Sequence, residues 1–141
     1  MGAISKNFSY KEFEASETAD RLDICNIVTT AQVRDSIKAL VETVLQPLRD
    51  AFGAPLEVNS GYRCPQVNKA VGGSATSQHV KGEAADIKAD QPLELARLAE
   101  SLKLPFDQMI IYPTFVHFSH RLEGEQRHQI LYNKSYHGPE L

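Results

Sequence analysis

Ser77-Gln78-His79-Val80-Lys81-Gly82-Glu83-Ala84-Ala85-Asp86-Ile87 sets an imidazole and a carboxylate on either side of a glycine-containing turn. Ala84 to Ile87 reads as a central strand, whose small Ala84 and Ala85 allow a neighbouring element or a ligand to approach closely. The stretch before it, Gly72 to Gln78, is small and polar. It reads as a flexible surface loop or as a cleft rim that presents His79 from its C-terminal end, and the two readings are compatible.

With a third ligand, His79 and Asp86 make a zinc site, since a catalytic zinc takes three nitrogen or oxygen ligands and leaves a fourth position open. The natural third is His117 in Phe115-Val116-His117-Phe118-Ser119-His120, where alternating apolar residues describe a strand that aims one imidazole inward. Two neutral imidazoles and one carboxylate leave a site charge of about +1, which can polarise a carbonyl and acidify a water. Taken singly, each residue also has a plain reading. His79 and His117 can be hydrogen-bonded structural histidines, Asp86 a turn residue, and Gly82 an ordinary glycine at positive φ.

The pattern Ser77-x-His79-x-x-Gly82-x-Ala84-x-Asp86 resembles the signature of the M15 zinc peptidases, the D-alanyl-D-alanine carboxypeptidase and dipeptidase group that includes phage endolysins. Three further segments resemble that family in order and spacing: Asn59-Ser60-Gly61-Tyr62-Arg63, Phe106-Asp107-Gln108-Met109-Ile110 and Val116-His117-Phe118-Ser119. The resemblance implies Zn2+ held by His79, Asp86 and His117. It also implies a peptidoglycan peptide as substrate, with Ser77 and Arg63 binding it. A planar, permanently charged guanidinium at Arg63 suits a carboxylate or a developing oxyanion, although a structural salt bridge is its plain alternative.

One departure from the family pattern stands out. Many M15 enzymes, and the similar domain of Hedgehog signalling proteins, place a glutamate general base shortly before the last zinc histidine. The comparable position here is Tyr112, and no Asp or Glu lies between Asp107 and Glu123. A tyrosine of ordinary pKa about 10 does not accept a proton near neutral pH. Tyr112 can instead donate a hydrogen bond to an oxyanion. Asp107 and His120 are the other candidates, but odd separations from Tyr112 and His117 turn both to the opposite face of a regular sheet, which points to supporting roles.

The remaining sequence supplies scaffold. Ser9-Tyr10-Lys11-Glu12 has the form of a capping box opening a short helix with Phe13. A stronger helix spans Thr30 to Phe52, with Val33, Ile37, Leu40, Val41, Val44, Leu45 and Leu48 at three- and four-residue steps, Gly53 at its end, and Pro47 splitting or kinking it. Leu56 to Asn59 reads as a strand leading to Arg63, Pro65 to Val71 as a short helix, and Pro92 to Leu102 as a second amphipathic helix. Gln108 to Tyr112 and Phe115 to Arg121 read as paired strands, His128 to Tyr132 as an edge strand, and Asn133 to Leu141 as a mobile tail.

A chain of 141 residues with 42% hydrophobic and 23% charged residues fits one domain, residues 1–141, ordered from about 8 to 133. A formal charge of −3 gives no general reason to bind nucleic acid. No apolar run approaches the ~18 residues of a membrane span, and the start of the chain lacks a secretory h-region. As written the sequence reads as cytoplasmic, acting at the cell wall after export or phage lysis, and as a monomer. Cys25 and Cys64 read as free thiols.

The expected architecture is α+β: a mostly antiparallel sheet with helices on one face and a zinc cleft on the other, as in the Hedgehog/DD-peptidase-like fold that the resemblance implies. Two functions follow. One is a zinc metallopeptidase cutting stem peptides or cross-links near D-alanine. The other is a zinc-stabilised module that binds cell-wall peptide or protein without hydrolysis, which Tyr112 in place of glutamate allows.

Overall fold

A computed structural model describes residues 3–141. Helices α1 (Tyr10–Glu14) and α2 (Glu17–Leu22) precede a long helical segment, α3 (Ala31–Leu40), a π turn (Val41–Leu45) and α4 (Gln46–Phe52). Strand β1 (Val58–Ser60), helix α5 (Pro65–Ala70), strand β2 (Ala84–Lys88) and helix α6 (Pro92–Ser101) follow. Strands β3 (Gln108–Ile111), β4 (Phe115–Ser119) and β5 (Gln129–Tyr132) complete the chain.

The long helix forms where its apolar spacing requires. Thr30 caps it by accepting the Val33 N–H at 3.2 Å, and Gly53 ends it at φ 75°. Ile37, Leu40, Val41, Val44, Leu45 and Leu48 are fully buried, each stabilising the fold by up to about 1.5–3 kcal/mol. Pro47 has no N–H to give Thr43, and the segment before it widens into the π turn, in which the Gln46 N–H reaches back to the Val41 carbonyl. The proline thus divides the helix without ending it.

The five strands form one sheet in the order β1-β2-β4-β3-β5. The first three pairings are antiparallel, and the edge strand β5 runs parallel to β3. The sheet is therefore mixed. Alternation gives it two unlike faces: Ala85, Ile87, Met109, Ile111, Val116 and Phe118 belong to the buried core, whereas Asp86, Ile110 and His117 lie on the other face. Helix α6 packs against β3 and β4, and its Leu95, Ala96 and Ala99 join the core. The tail from Asn133 turns back along the sheet: the Asn133 N–H meets the Ile111 carbonyl at 2.9 Å, and the Leu141 N–H meets the Tyr132 hydroxyl at 2.7 Å. No described helix is long and apolar enough to cross a membrane.

Gly82 joins the long helix to the turn that carries His79. It sits at φ 75°, and a Cβ there would lie 2.7 Å from the Val33 carbonyl oxygen. Backbone strain and a backbone collision act together, so Gly82→Ala is expected to destabilise the fold by about 2 kcal/mol. Urea unfolding checks this. An unchanged midpoint would show that the turn does not rest on the helix.

Candidate metal centre

Three donor atoms converge on the uncovered face of the sheet. β2 and β4 pair with Asp86 directly opposite His117, and the Asp86 Oδ1 lies 2.9 Å from the His117 Nδ1. His79 arrives from the turn before β2, its Nε2 3.5 Å from the same carboxylate oxygen. One nitrogen or oxygen from each of the three residues falls within 4.8 Å of the others, which suits a single cation.

The surroundings prepare His79 as a ligand. Its Nδ1 donates to the Gly61 carbonyl at 2.7 Å, which fixes a proton on Nδ1 and aims Nε2 at Asp86. The ring is almost fully buried. Gly61 is itself pressed against α1, where a Cβ would stand 2.8 Å from the Phe13 Cα. Burial pushes Asp86 up, but hydrogen bonds from His117 and His79 outweigh it and hold the carboxyl well below the usual carboxylate range. The carboxylate is therefore ionised at neutral pH. The donor set, one carboxylate and two imidazoles with one tautomer fixed from outside, fits zinc.

Arg63 is held beside this trio by its backbone. The Arg63 N–H donates to the His79 carbonyl at 3.1 Å, and buried Asn26 takes both neighbours, donating to the Tyr62 carbonyl at 3.0 Å and accepting the Cys64 N–H at 2.7 Å. No local sequence signal marks Asn26 for this role. The Arg63 guanidinium lines the cleft with a buried Nε that has no partner among the described residues. Burial lowers its pKa, while the charge on Asp86 opposes that fall.

Tyr112 lines the same cleft and stacks on Phe115 with ring centroids 4.1 Å apart. Burial and the nearby Asp86 carboxylate raise its pKa above the ordinary tyrosine value, so near neutral pH it carries its proton. It is a hydrogen-bond donor there and not a base. Ser77 also lines the cleft, and its Oγ accepts the His79 N–H at 3.2 Å.

Asp107 and His120 stand apart from the three donors. Asp107 is fully buried beneath the cleft, where it accepts the Arg127 Nε at 3.0 Å, the Arg127 Nη2 at 2.7 Å and the Gln78 amide at 3.1 Å. Burial pushes its carboxyl up, but the bonds from Arg127 prevail and hold it at about 2. The bond from the Gln78 amide braces Gln78, the residue next to His79. His120 lies beyond the end of β4 with a buried Nδ1 that has no partner among the described residues, and burial lowers its pKa. Sequence reasoning did not single out Glu83, which accepts the Leu122 N–H at 2.9 Å and the Gln78 amide at 3.3 Å. Its place next to the small residues of β2 gave no hint of burial.

The whole cleft has a volume of about 870 Å³, large enough for several residues of a peptide. An α+β domain with two imidazoles and a carboxylate gathered in such a cleft has the parts of a metal-dependent hydrolase. The Peptidase M15 family profile matches residues 6–120, and the chain belongs to that family. A stretch of 46 residues is 46% identical to a zinc D-Ala-D-Ala carboxypeptidase of Streptomyces albus G. That stretch is 32% of this chain but 18% of the relative, so the chain matches only a small part of that protein.

Proposed function

We propose that the chain is a zinc-dependent peptidase that hydrolyses peptidoglycan stem peptides or cross-links near D-alanine, as a carboxypeptidase or an endopeptidase. The observation that carries this reading is the convergence of His79, Asp86 and His117 within 4.8 Å in a cleft shared with Arg63. The similarity to a zinc D-Ala-D-Ala carboxypeptidase supports the substrate class.

His79, Asp86 and His117 hold the metal, and zinc bound there supplies Lewis acidity toward a carbonyl and a water. Arg63 offers a forked, permanent positive charge to the terminal carboxylate or to the developing oxyanion. Its Nε is buried without a hydrogen-bond partner among the described residues, while the guanidinium as a whole lines the cleft. Tyr112, kept protonated, donates a hydrogen bond to the same region. Ser77 lines the substrate path and braces the backbone of His79. The protein works as a monomer at the cell wall in this reading.

A second reading has one observation in its favour. The position that often bears the family's glutamate base holds Tyr112, whose raised pKa suits it less, not more, to accept a proton. A zinc-stabilised module that binds wall peptide or protein without turnover would need no base there.

Incubation of zinc-loaded protein with muropeptides, with and without a chelator, separates the two. The expected result is release of D-alanine or cleavage of cross-bridges that stops on chelation and returns with added zinc. Saturable muropeptide binding with no product would sink the peptidase reading and leave the module.

A further inference from the structure

The wall of the cleft farthest from Tyr112 is built around one buried carboxylate and two guanidinium groups. Arg127 grips Asp107 with two nitrogens and its backbone N–H, at 3.0, 2.7 and 2.8 Å. Arg121 pairs with the same carboxylate through its Nε at 3.3 Å without a hydrogen bond of good geometry, and its Nη1 meets the Glu125 carbonyl at 3.4 Å. Asp107 therefore satisfies Arg127 and only shares an edge with Arg121. The neighbouring buried acid, Glu83, does not make up the difference: among the described residues it forms no ion pair with Arg121, and its oxygens accept from Gln78 and the Leu122 N–H. Both arginines line the cleft, with side chains 38% and 37% exposed. One cation of the pair thus faces the cleft with much of its fork unused, and a fork of that shape selects a carboxylate.

Its position along the sheet gives the spacing. Tyr112 adjoins the Phe115 end of β4, Asp86 and His117 pair mid-strand, and Arg121 follows the Ser119 end. From His117 to the Ser119 end of β4 is ~7 Å at an extended rise of about 3.3 Å per residue, and Arg121 lies two residues beyond that end. An extended peptide covers the distance in about two to four residues.

We propose that Arg121 forms a second carboxylate subsite, which selects peptides bearing an acidic side chain two to four residues before the bond that is cut. The statement that the acid precedes the bond rests on the peptidase reading, in which Arg63 takes the opposite, C-terminal end. The subsite itself rests only on the cleft.

The test uses two sets of peptides ending in D-Ala-D-Ala. One carries a single glutamate at the second, third or fourth residue before the last bond, and the other carries glutamine there. For wild-type protein, kcat/KM at one of these positions should favour glutamate by about tenfold, mostly through KM, as a charge-assisted hydrogen bond at a half-exposed site gives. Arg121→Gln should bring that ratio close to one, and Arg121→Lys, which keeps the charge but loses the fork, should give an intermediate value. A glutamate-to-glutamine ratio near one in wild-type protein, or an equal ratio in wild-type and Arg121→Gln, overturns the subsite. Should neither set be hydrolysed, the peptidase reading fails by itself. Calorimetric binding of the same peptides to zinc-loaded protein then decides the subsite by the same ratio. Should Arg121→Gln fail to fold, the wild-type ratio and Arg121→Lys carry the decision.

Discussion

Purified protein in which His117 is replaced by alanine will carry little or no zinc, and the muropeptide hydrolysis proposed for the wild-type protein will fall by at least about a thousandfold. The reason lies in the coordination count. Removal of His117 leaves one imidazole and one carboxylate, one short of the three protein ligands a catalytic zinc takes. The fold should survive, because the ring lies on the cleft face of β4 and the core beneath is made by Val116 and Phe118, both fully buried. Metal analysis of the variant beside wild-type protein checks the prediction. Stoichiometric zinc in a folded His117→Ala protein would show that another residue completes the site.

The largest effect on stability is expected at Asp107. Asp107→Asn removes the charge that Arg127 and Arg121 share while keeping the size of the side chain, and should cost about 3 kcal/mol. The partners are themselves more than a third exposed, which keeps the loss below that of a fully buried pair. The pH dependence has a definite sign. The folded carboxyl sits at about 2, below the 3.8 of an unperturbed aspartate, so its stabilisation is complete well above 3.8 and is lost as pH falls toward 2. In urea unfolding between pH 5 and 2, wild-type protein should lose stability more steeply than Asp107→Asn, by on the order of 2 kcal/mol over the window. Parallel curves would mean that Asp107 contributes no charge-dependent stability.

Local signals made much of this molecule readable. The apolar steps from Val33 to Leu48 give the long helix, and Gly53 gives its end, because helical periodicity and a left-handed cap are properties of neighbouring residues. The strand around Phe118 likewise shows its two faces by alternation. The π turn is a different matter. Pro47 announces a missing hydrogen bond, but whether the helix breaks, kinks or widens depends on the packing of Val41, Val44 and Leu45 against the rest of the core. Strand order and the parallel pairing of β5 with β3 were out of reach for the same reason, since they are set by contacts between distant segments.

The candidate site divides along the same line. His79, Asp86 and His117 stand in patterned surroundings, a glycine turn and two alternating strands, and the structure brings all three to one point. Their supports are invisible in the sequence. Nothing local marks Asn26 as the brace on both sides of Arg63, or Arg127 as the partner of Asp107, because each reaches its target across a fold that has yet to form. His120 also shows the limit of strand periodicity: β4 ends at Ser119, so the alternation no longer governs where that ring points.

Asp86 and His117 are 31 residues apart in the chain and meet only because β2 and β4 lie side by side. A nascent or unfolded chain therefore offers an ion at most scattered, weak ligands, and the high-affinity arrangement arises only when the middle of the sheet has assembled. Under the proposed metal assignment, capture of zinc becomes the last act of maturation, and the ion reinforces the finished sheet by the full free energy of its binding.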